Sequence, residues 1–368
     1  MSNFKMLKYF KIGLDIGYGW VKGVNERGER VLIRSLVAPP YSRDLNDAFG
    51  VENQDTDIHV VVTMPDGSKK EIFVGELALS STKAAYAFDK NKIDHPTTTQ
   101  LIATATSMLT VGVDQPLHLI TGLPLDFYKT QKVQFENYLR EFKGKVQHKA
   151  GKFEGTEYTI GFEKATVYLQ GGASIYSCLM NIHGVPTRKD LLQQGLKLAV
   201  INMGFYTLDV IVFEAGEKFK PLGDMSFSSD EGVGMVEIRK IVEQAFYEQS
   251  GARLNLPQVE PILKSGGINY KGKYFDLKND IKRAKDIVAQ INLDTIKTKW
   301  GSQKDFIHTA FICGGGPGDL EERILGFHHN QEIVEDHQFA DALGYLIYGR
   351  LQEYKENRER EKQLYTSN

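Results

Sequence analysis

Two stretches of this chain repeat one pattern, and the pattern restricts the fold more than any other feature. "GLDIGYGWVKGV" (residues 13–24) runs from an apolar strand to Asp15 and Gly17, through a short polar loop, and back into a strand. "VINMGFYTLDVIVFE" (200–214) runs from an apolar strand to Asn202 and Gly204, through a short polar loop with Thr207, and back into a strand. Each then meets a glycine turn and a further strand. Neither glycine loop opens a helix, which excludes the phosphate-binding loops that join a strand to a helix. Each loop is instead the tip of a β-hairpin, and the chain starts the same kind of domain twice.

One hairpin of this kind can be an ordinary tight turn. Two, with acid or amide, glycine, and hydroxyl or lysine in matching places, describe a site. Bare N–H groups at a glycine tip form an anion nest. Two such tips could clamp a polyphosphate from both sides. The acid ending the strand could hold Mg²⁺, which takes a carboxylate or two and keeps several waters. Lys22 would neutralise phosphate charge.

The 368 residues exceed one ordinary core, so two or more domains are expected. With 45 basic and 47 acidic residues, the chain has no electrostatic basis for a large nucleic-acid surface. The two cysteines, Cys178 and Cys313, lie far apart in apolar surroundings and read as buried, reduced thiols. Neither HxxxH nor CxxC spacing occurs, which argues against a metal cage made only of protein. No apolar run reaches the roughly 20 residues that span a bilayer. The basic, partly apolar N-terminus lacks the features of a signal peptide and reads as a lead-in to the first strand, with a membrane-skimming segment as the alternative. A soluble cytoplasmic protein is expected.

Along the chain, strand clusters alternate twice with helices, giving class α/β. Residues 11–37 read as short strands, and "HVVVTMPDGSKKEIFVGELAL" as a hairpin turning at "PDGS". A helix with a threonine cap is expected after Pro96. A buried strand then ends at Gly122 and Pro124, and an amphipathic helix follows over 130–145. Strand 157–172 passes into a helix over 172–184, so that Gln170 would begin a helix. Strands restart at Lys197, helices follow at about 232–249 and 276–296, and a last strand, glycine turn and long helix close the pattern.

These residues together resemble the actin superfamily. "DIGYGWVKG" looks like its first phosphate loop, and "NMGFYTLD" is similar to its second, D-x-G-x-x-T-x-D. "FICGGGPGDLEERI" resembles the adenosine motif, and "YLQGGASIY" and "FADALGYLIYG" resemble the two connecting helices. The ordered motifs cover residues from about 11 to 349, and "IFVGELAL" and "LITGLPLDFY" look most like the plasmid-segregation actins, the ParM/StbA-like group.

The resemblance implies an actin-like ATPase fold, with two similar α/β domains and mixed sheets around a nucleotide cleft. The expected division is 1–190 plus 335–368 (with a small subdomain at about 38–95) against 191–334. Asp15 would organise Mg²⁺. Gly17 and Gly19, with the backbone of Tyr18, Trp20 and Val21, would donate to phosphate oxygens, the Trp20 side chain serving packing. Lys22 matches the family's phosphate lysine. Gln170 would orient the attacking water. Gly204, Phe205, Tyr206 and Thr207 would form the second clamp, ending at Asp209. Gly314, Gly315 and Gly316 would let adenosine lie against backbone, with the helix after Pro317 pointing its positive end at the site. Residues around Gly232 and from Glu237 to Lys240 would wall the base. The departure is Asn202, where the family has aspartate. An amide there adds no charge, and Asn202→Asp is expected to raise Mg²⁺ affinity, with repulsion of the γ-phosphate by the added charge as the alternative.

The implied function is an ATPase, with GTP possible, that polymerises with Mg²⁺ and nucleotide. It would move plasmid DNA indirectly, through a DNA-binding adaptor of ParR type, with no membrane contact. A small-molecule kinase of the superfamily and an MreB-like cytoskeletal filament are the rival functions.

Overall fold

The structure is a computed structural model and describes residues 8–43, 49–50, 54–86, 96–230 and 232–366. The N-terminal stretch that could skim a membrane falls mostly outside these residues, as does much of the polar loop at 41–58.

The first half opens with β1 (Phe10–Ile16), β2 (Trp20–Asn25) and β3 (Arg30–Arg34), joined by tight turns. Next come β4 (Leu36–Ala38), β5 (Ile58–Thr63), β6 (Lys69–Val74), the short helix α1 (Glu76–Leu79) and β7 (Ala85–Tyr86). Helix α2 (Pro96–Leu109) is followed by β8 (Leu117–Leu123), α3 (Leu125–Glu141), β9 (Lys143–His148), β10 (Glu157–Gly161), β11 (Lys164–Leu169) and α4 (Ser174–Leu179). The second half has β12 (Lys197–Met203), β13 (Leu208–Glu214), β14 (Lys220–Pro221), β15 (Phe227–Ser229), α5 (Val236–Ser250) and α6 (Leu256–Ser265). It continues through β16 (Gly267–Tyr270), β17 (Lys273–Asp276), α7 (Lys278–Trp300), β18 (Thr309–Gly314), α8 (Gly316–Leu320), β19 (Gln331–Ile333) and the long α9 (Ala340–Thr366).

The repeat read in the sequence is a repeat of topology. In one sheet the order is β11-β8-β1-β2-β3, with β1 antiparallel to β2 and parallel to β8. In the other it is β14-β13-β12-β18-β19, with β12 antiparallel to β13 and parallel to β18. β1 is buried along its whole length and β12 from Leu198 onward, as expected for strands covered on both faces. A third sheet, β10-β9-β5-β6-β4-β7, forms the small lobe of the first half. Residues 143–161 complete it, so this lobe draws on chain well beyond 38–95.

Helix α9 packs back onto β1 and α4. The approach is close: a Cβ at Gly344 would lie 2.0 Å from the Ala173 carbonyl oxygen, so only glycine fits. The charged end of α9 docks through Lys11, which is buried on β1 and lies 2.7 Å from Glu353.

Several local expectations need correcting. Helix α2 takes Pro96 as its first residue, where the missing N–H costs nothing, so its threonines lie within the first turns and do not cap it. Helix α3 begins at Leu125, right after Pro124, and stops at Glu141, because "KGKVQH" pairs as β9. Helix α4 spans only Ser174–Leu179, and Gln170 therefore sits in a turn before it. Helix α6 and the β16–β17 hairpin were not anticipated, although the signals are present. Asn255 and Gln258 form a reciprocal capping box, and Gly266 closes the helix at φ 81°.

Candidate functional site

The two repeated hairpins face each other across a cleft. In the first, Asp15 is paired in register with Lys22, and in the second Asn202 is paired with Asp209. Their turns close alike: the Gly17 N–H donates to Trp20 O at 3.1 Å, and the Gly204 N–H donates to Thr207 O at 2.8 Å. The register therefore matches Lys22 with Asp209, whereas the sequence pattern set it beside Thr207. Lys22 Nζ donates to Asp15 Oδ2 at 2.8 Å, and both side chains are buried. Asp209 accepts from Thr207 Oγ1 at 2.8 Å and from Ser228 Oγ at 2.6 Å. The tips touch. A Cβ on Gly19 would stand 2.7 Å from the Phe205 ring, and the Tyr18 and Tyr206 rings meet edge-on at 5.4 Å. Trp20 packs under the Arg34 guanidinium at 4.3 Å, and Val21 is buried within its strand.

Gln170 reaches this cleft from the turn after β11. Its backbone N–H donates to Leu123 O at 2.8 Å, and its Nε2 donates to Asp15 Oδ1 at 3.0 Å. Its Oε1 is buried without a hydrogen-bond partner. An orphaned buried acceptor is costly, so the arrangement suits a donor such as an ordered water. Next to it, the Gly171 N–H donates to both oxygens of Asp341, at 3.1 and 2.9 Å. Ser174 Oγ and Asn202 Nδ2 donate to the same carboxylate at 2.8 and 3.1 Å. Burial, and then the negative charge of Asp15, push the Asp341 carboxyl up to about 7.

The far wall comes from β18 and its turn. Gly314 has φ 90°, and a Cβ there would lie 2.3 Å from Asn202 Oδ1. Gly315 differs: its φ is −78°, and a Cβ would meet nothing within 4 Å. Neither turn geometry nor packing demands glycine there, and its open face lines the cleft. Gly316 and Pro317 are buried in α8, a helix of five residues and too short to act as the extended dipole expected after Pro317.

Met235, the N-cap residue of α5, and Arg239 within it line the cleft, one helical turn apart. Glu237 and Lys240 point elsewhere. They pair with each other at 2.7 Å and border a second hollow beside Tyr18 and Tyr206. Gly232 adopts φ 71° near Ile291, away from the cleft lined by Asp15.

The chain's similarities to known proteins agree with this geometry. The family described as "Actin like proteins N terminal domain" matches residues 13–172, and "Archaeal actin homologue MreB-like, C-terminal" matches residues 200–325. The chain belongs to the actin-like superfamily.

An archaeal actin homolog from Thermoplasma acidophilum is 25% identical over 353 residues, covering 91% of this chain and 97% of the relative. A 15-stranded ParM filament structure from Clostridium botulinum aligns with TM-score 0.82 and 28% identity, over 94% of this chain and 99% of that one. An archaeal actin homolog in complex with ADP aligns with TM-score 0.71 at 19% identity, over 92% and 99%. This last likeness speaks for the fold alone.

In this actin-like chain, Arg239 lies within the run 237–240 read from the sequence, whereas Met235, Asp319, Glu260 and Asp341 were missed. Helical period could have found Met235, which shares a face with Arg239 that 237 and 240 do not. Arg239 donates to Glu260 at 2.9 Å and to Asp319 at 2.8 Å. Burial alone would lower the Arg239 pKa, and these two carboxylates outweigh it and raise it. Arg34, from the first half, reaches the same Glu260 at 2.8 Å and so ties the two halves together. The two thiols are buried and free, as the composition suggested, but Cys178 Sγ and Cys313 Sγ lie 3.9 Å apart. Among the described residues no cluster of three or more His, Cys, Asp or Glu could hold a metal, and no helix is long and apolar enough to cross a membrane.

Proposed function

We propose that this chain is an actin-like ATPase that assembles head-to-tail into nucleotide-dependent filaments. The observation that carries the reading is the pair of hairpins of one register meeting over one cleft, with the orphaned Gln170 oxygen beside Asp15. Backbone N–H groups at both tips would bind phosphate oxygens, and Lys22 would add charge where Asp15 leaves it room. Asp15 and Asn202 would hold Mg²⁺ through its water shell, and the ion would neutralise charge on the β- and γ-phosphates. The donor set suits that ion, which needs no all-protein cage. Gln170 would accept a hydrogen bond from the attacking water through Oε1 while Asp15 fixes its amide. Gly315 would present bare backbone to the adenosine, with Met235 and Arg239 on the base side. Glu237 and Lys240 border a neighbouring hollow, and Gly232 lies outside the cleft lining.

The likeness to a ParM filament supports self-assembly, and a heterologous contact that does not close yields a helix. The cargo in this reading is plasmid DNA, held through an adaptor of ParR type, and the near-neutral charge of the chain fits indirect contact. The MreB-like description of the C-terminal match favours a second reading, a cytoskeletal filament with no DNA cargo.

The test is purified protein with ATP or GTP, with and without Mg²⁺, followed by phosphate release, pelleting and electron microscopy. Mg-dependent phosphate release together with polymer is expected. No release and no polymer would overturn the reading. Recruitment of a neighbouring adaptor and its DNA to the filaments supports segregation, and flotation with liposomes supports the MreB-like role.

A further inference from the structure

Asp341 lies outside both family matches, at the start of α9, and no role has been attached to it. It is 5% exposed and sits beneath the cleft, where it accepts from three separate elements. These are the Gly171 N–H in the Gln170 turn, the Ser174 hydroxyl of α4 and the Asn202 amide of β12. Gly171 holds φ 77°, and a Cβ there would lie 3.3 Å from Asn202 Cβ, so the turn is pressed against the second hairpin. One carboxylate thus fixes the backbone beside Gln170 and the amide of Asn202 together. Its position also answers the departure in the sequence. Where the superfamily pattern carries a carboxylate at the strand end, this chain has an amide, and a carboxylate follows one hydrogen bond behind it.

We propose that Asp341 is a positioning residue of the hydrolytic site, aligning the Gln170 turn and Asn202 and supplying from beneath them the negative charge that residue 202 lacks. The proposal rests on the ATPase reading above.

The experiment is a swap. At pH 8, where the carboxyl is mostly ionised, Asp341→Asn keeps the shape of the side chain and removes its charge. Adding Asn202→Asp returns a carboxylate to the hairpin and reverses the hydrogen bond. Wild type, both single variants and the double variant are compared in ligand-free melting, in the Mg²⁺ concentration that half-saturates the melting shift given by ATP, and in kcat and KM for phosphate release. Asn202→Asp alone sets two carboxylates against each other in a buried place, and its ligand-free melting should fall below wild type. Asp341→Asn alone should need about tenfold more Mg²⁺ and lose about tenfold in kcat, with KM within about threefold of wild type. The double variant should return to within about threefold of wild type in both measures.

An Asp341→Asn protein with unchanged Mg²⁺ requirement and kcat overturns the proposal, and so does a double variant no better than Asp341→Asn. Should Asp341→Asn fail to fold, the double variant measured against Asn202→Asp decides the same question. Wild type that shows neither melting shift nor phosphate release with Mg-ATP overturns the ATPase reading itself, a result distinct from an inert Asp341 in an active protein.

Discussion

Asp15 and Asn202 occupy equivalent positions in two hairpins of equal register, yet opposite partners hold them. Asp15 receives the Lys22 ammonium and the Gln170 amide, whereas Asn202 donates its own amide to the buried Asp341. The opposing residue differs too, a lysine in one hairpin and an aspartate in the other. Backbone similarity therefore coexists with chemical asymmetry. The first hairpin concentrates charge that a reacting phosphate and its metal would meet. In the second, Thr207 and Ser228 donate to Asp209, and Asp341 holds the Asn202 amide.

The largest expected effect falls on the first hairpin. Asp15→Ala should abolish Mg-dependent phosphate release. It also strands a buried ammonium, so stability should fall by about 3–5 kcal/mol. Asp15→Ala with Lys22→Met removes both charges and should recover melting without recovering turnover. Wild-type turnover in that folded double variant would take Asp15 out of the site.

Next comes the residue that leans on the first hairpin. Gln170→Ala should lower kcat by about 10- to 100-fold with little change in nucleotide affinity, because a positioned water matters more in the transition state than in the ground state. Filaments should still form with ATP and disassemble slowly. Equal losses in affinity and turnover would mark the glutamine as structural.

A pair of glycine substitutions separates packing from ligand space. Gly315→Ala should melt like wild type, since the new methyl meets no protein atom within 4 Å, and should weaken ATP binding by about tenfold. Gly19→Ala drives a methyl into Phe205 and should cost about 1–3 kcal/mol of stability before any nucleotide is added. Unaltered ATP affinity in Gly315→Ala would move the adenosine away from that face.

The smallest effect is a pH dependence confined to the first half. Burial lowers His118, on β8, to about 3 and His148, on β9, to about 4. Both are held neutral, His118 by Thr166 and His148 by Ser107, each at 2.9 Å. Their folded pKa values lie below the unfolded value near 6.5. Their contribution is therefore complete above about pH 6.5 and is lost as pH falls toward the folded values, by about 1–2 kcal/mol each at pH 5. Hydrogen exchange at pH 5 should loosen β8 and β9 before β12 and β18. Equal loosening of both halves would remove these histidines as the cause.

Sequence alone determined the α/β class, the two hairpins and the glycine strand end, because alternation, turn residues and apolar runs are local and survive without knowledge of neighbours. It singled out Asp15 and the hairpin tips for the same reason, each lying at the end of a legible strand, whereas Gln170 came from the resemblance. It could not decide which residues meet across long separations. Asp341 is one polar residue in an apolar helix start until the fold brings it under Asn202, 139 positions away. That contact also adds a stability cost to Asn202→Asp that sequence alone did not show, since the new charge would face a buried carboxylate. Arg34 and Glu260, Cys178 and Cys313, and the register that sets Lys22 against Asp209's place are likewise products of packing. Burial, hydrogen-bond geometry and the lowered dielectric of the interior belong to the assembled chain, and these decide whether a legible residue reacts, holds or merely fills.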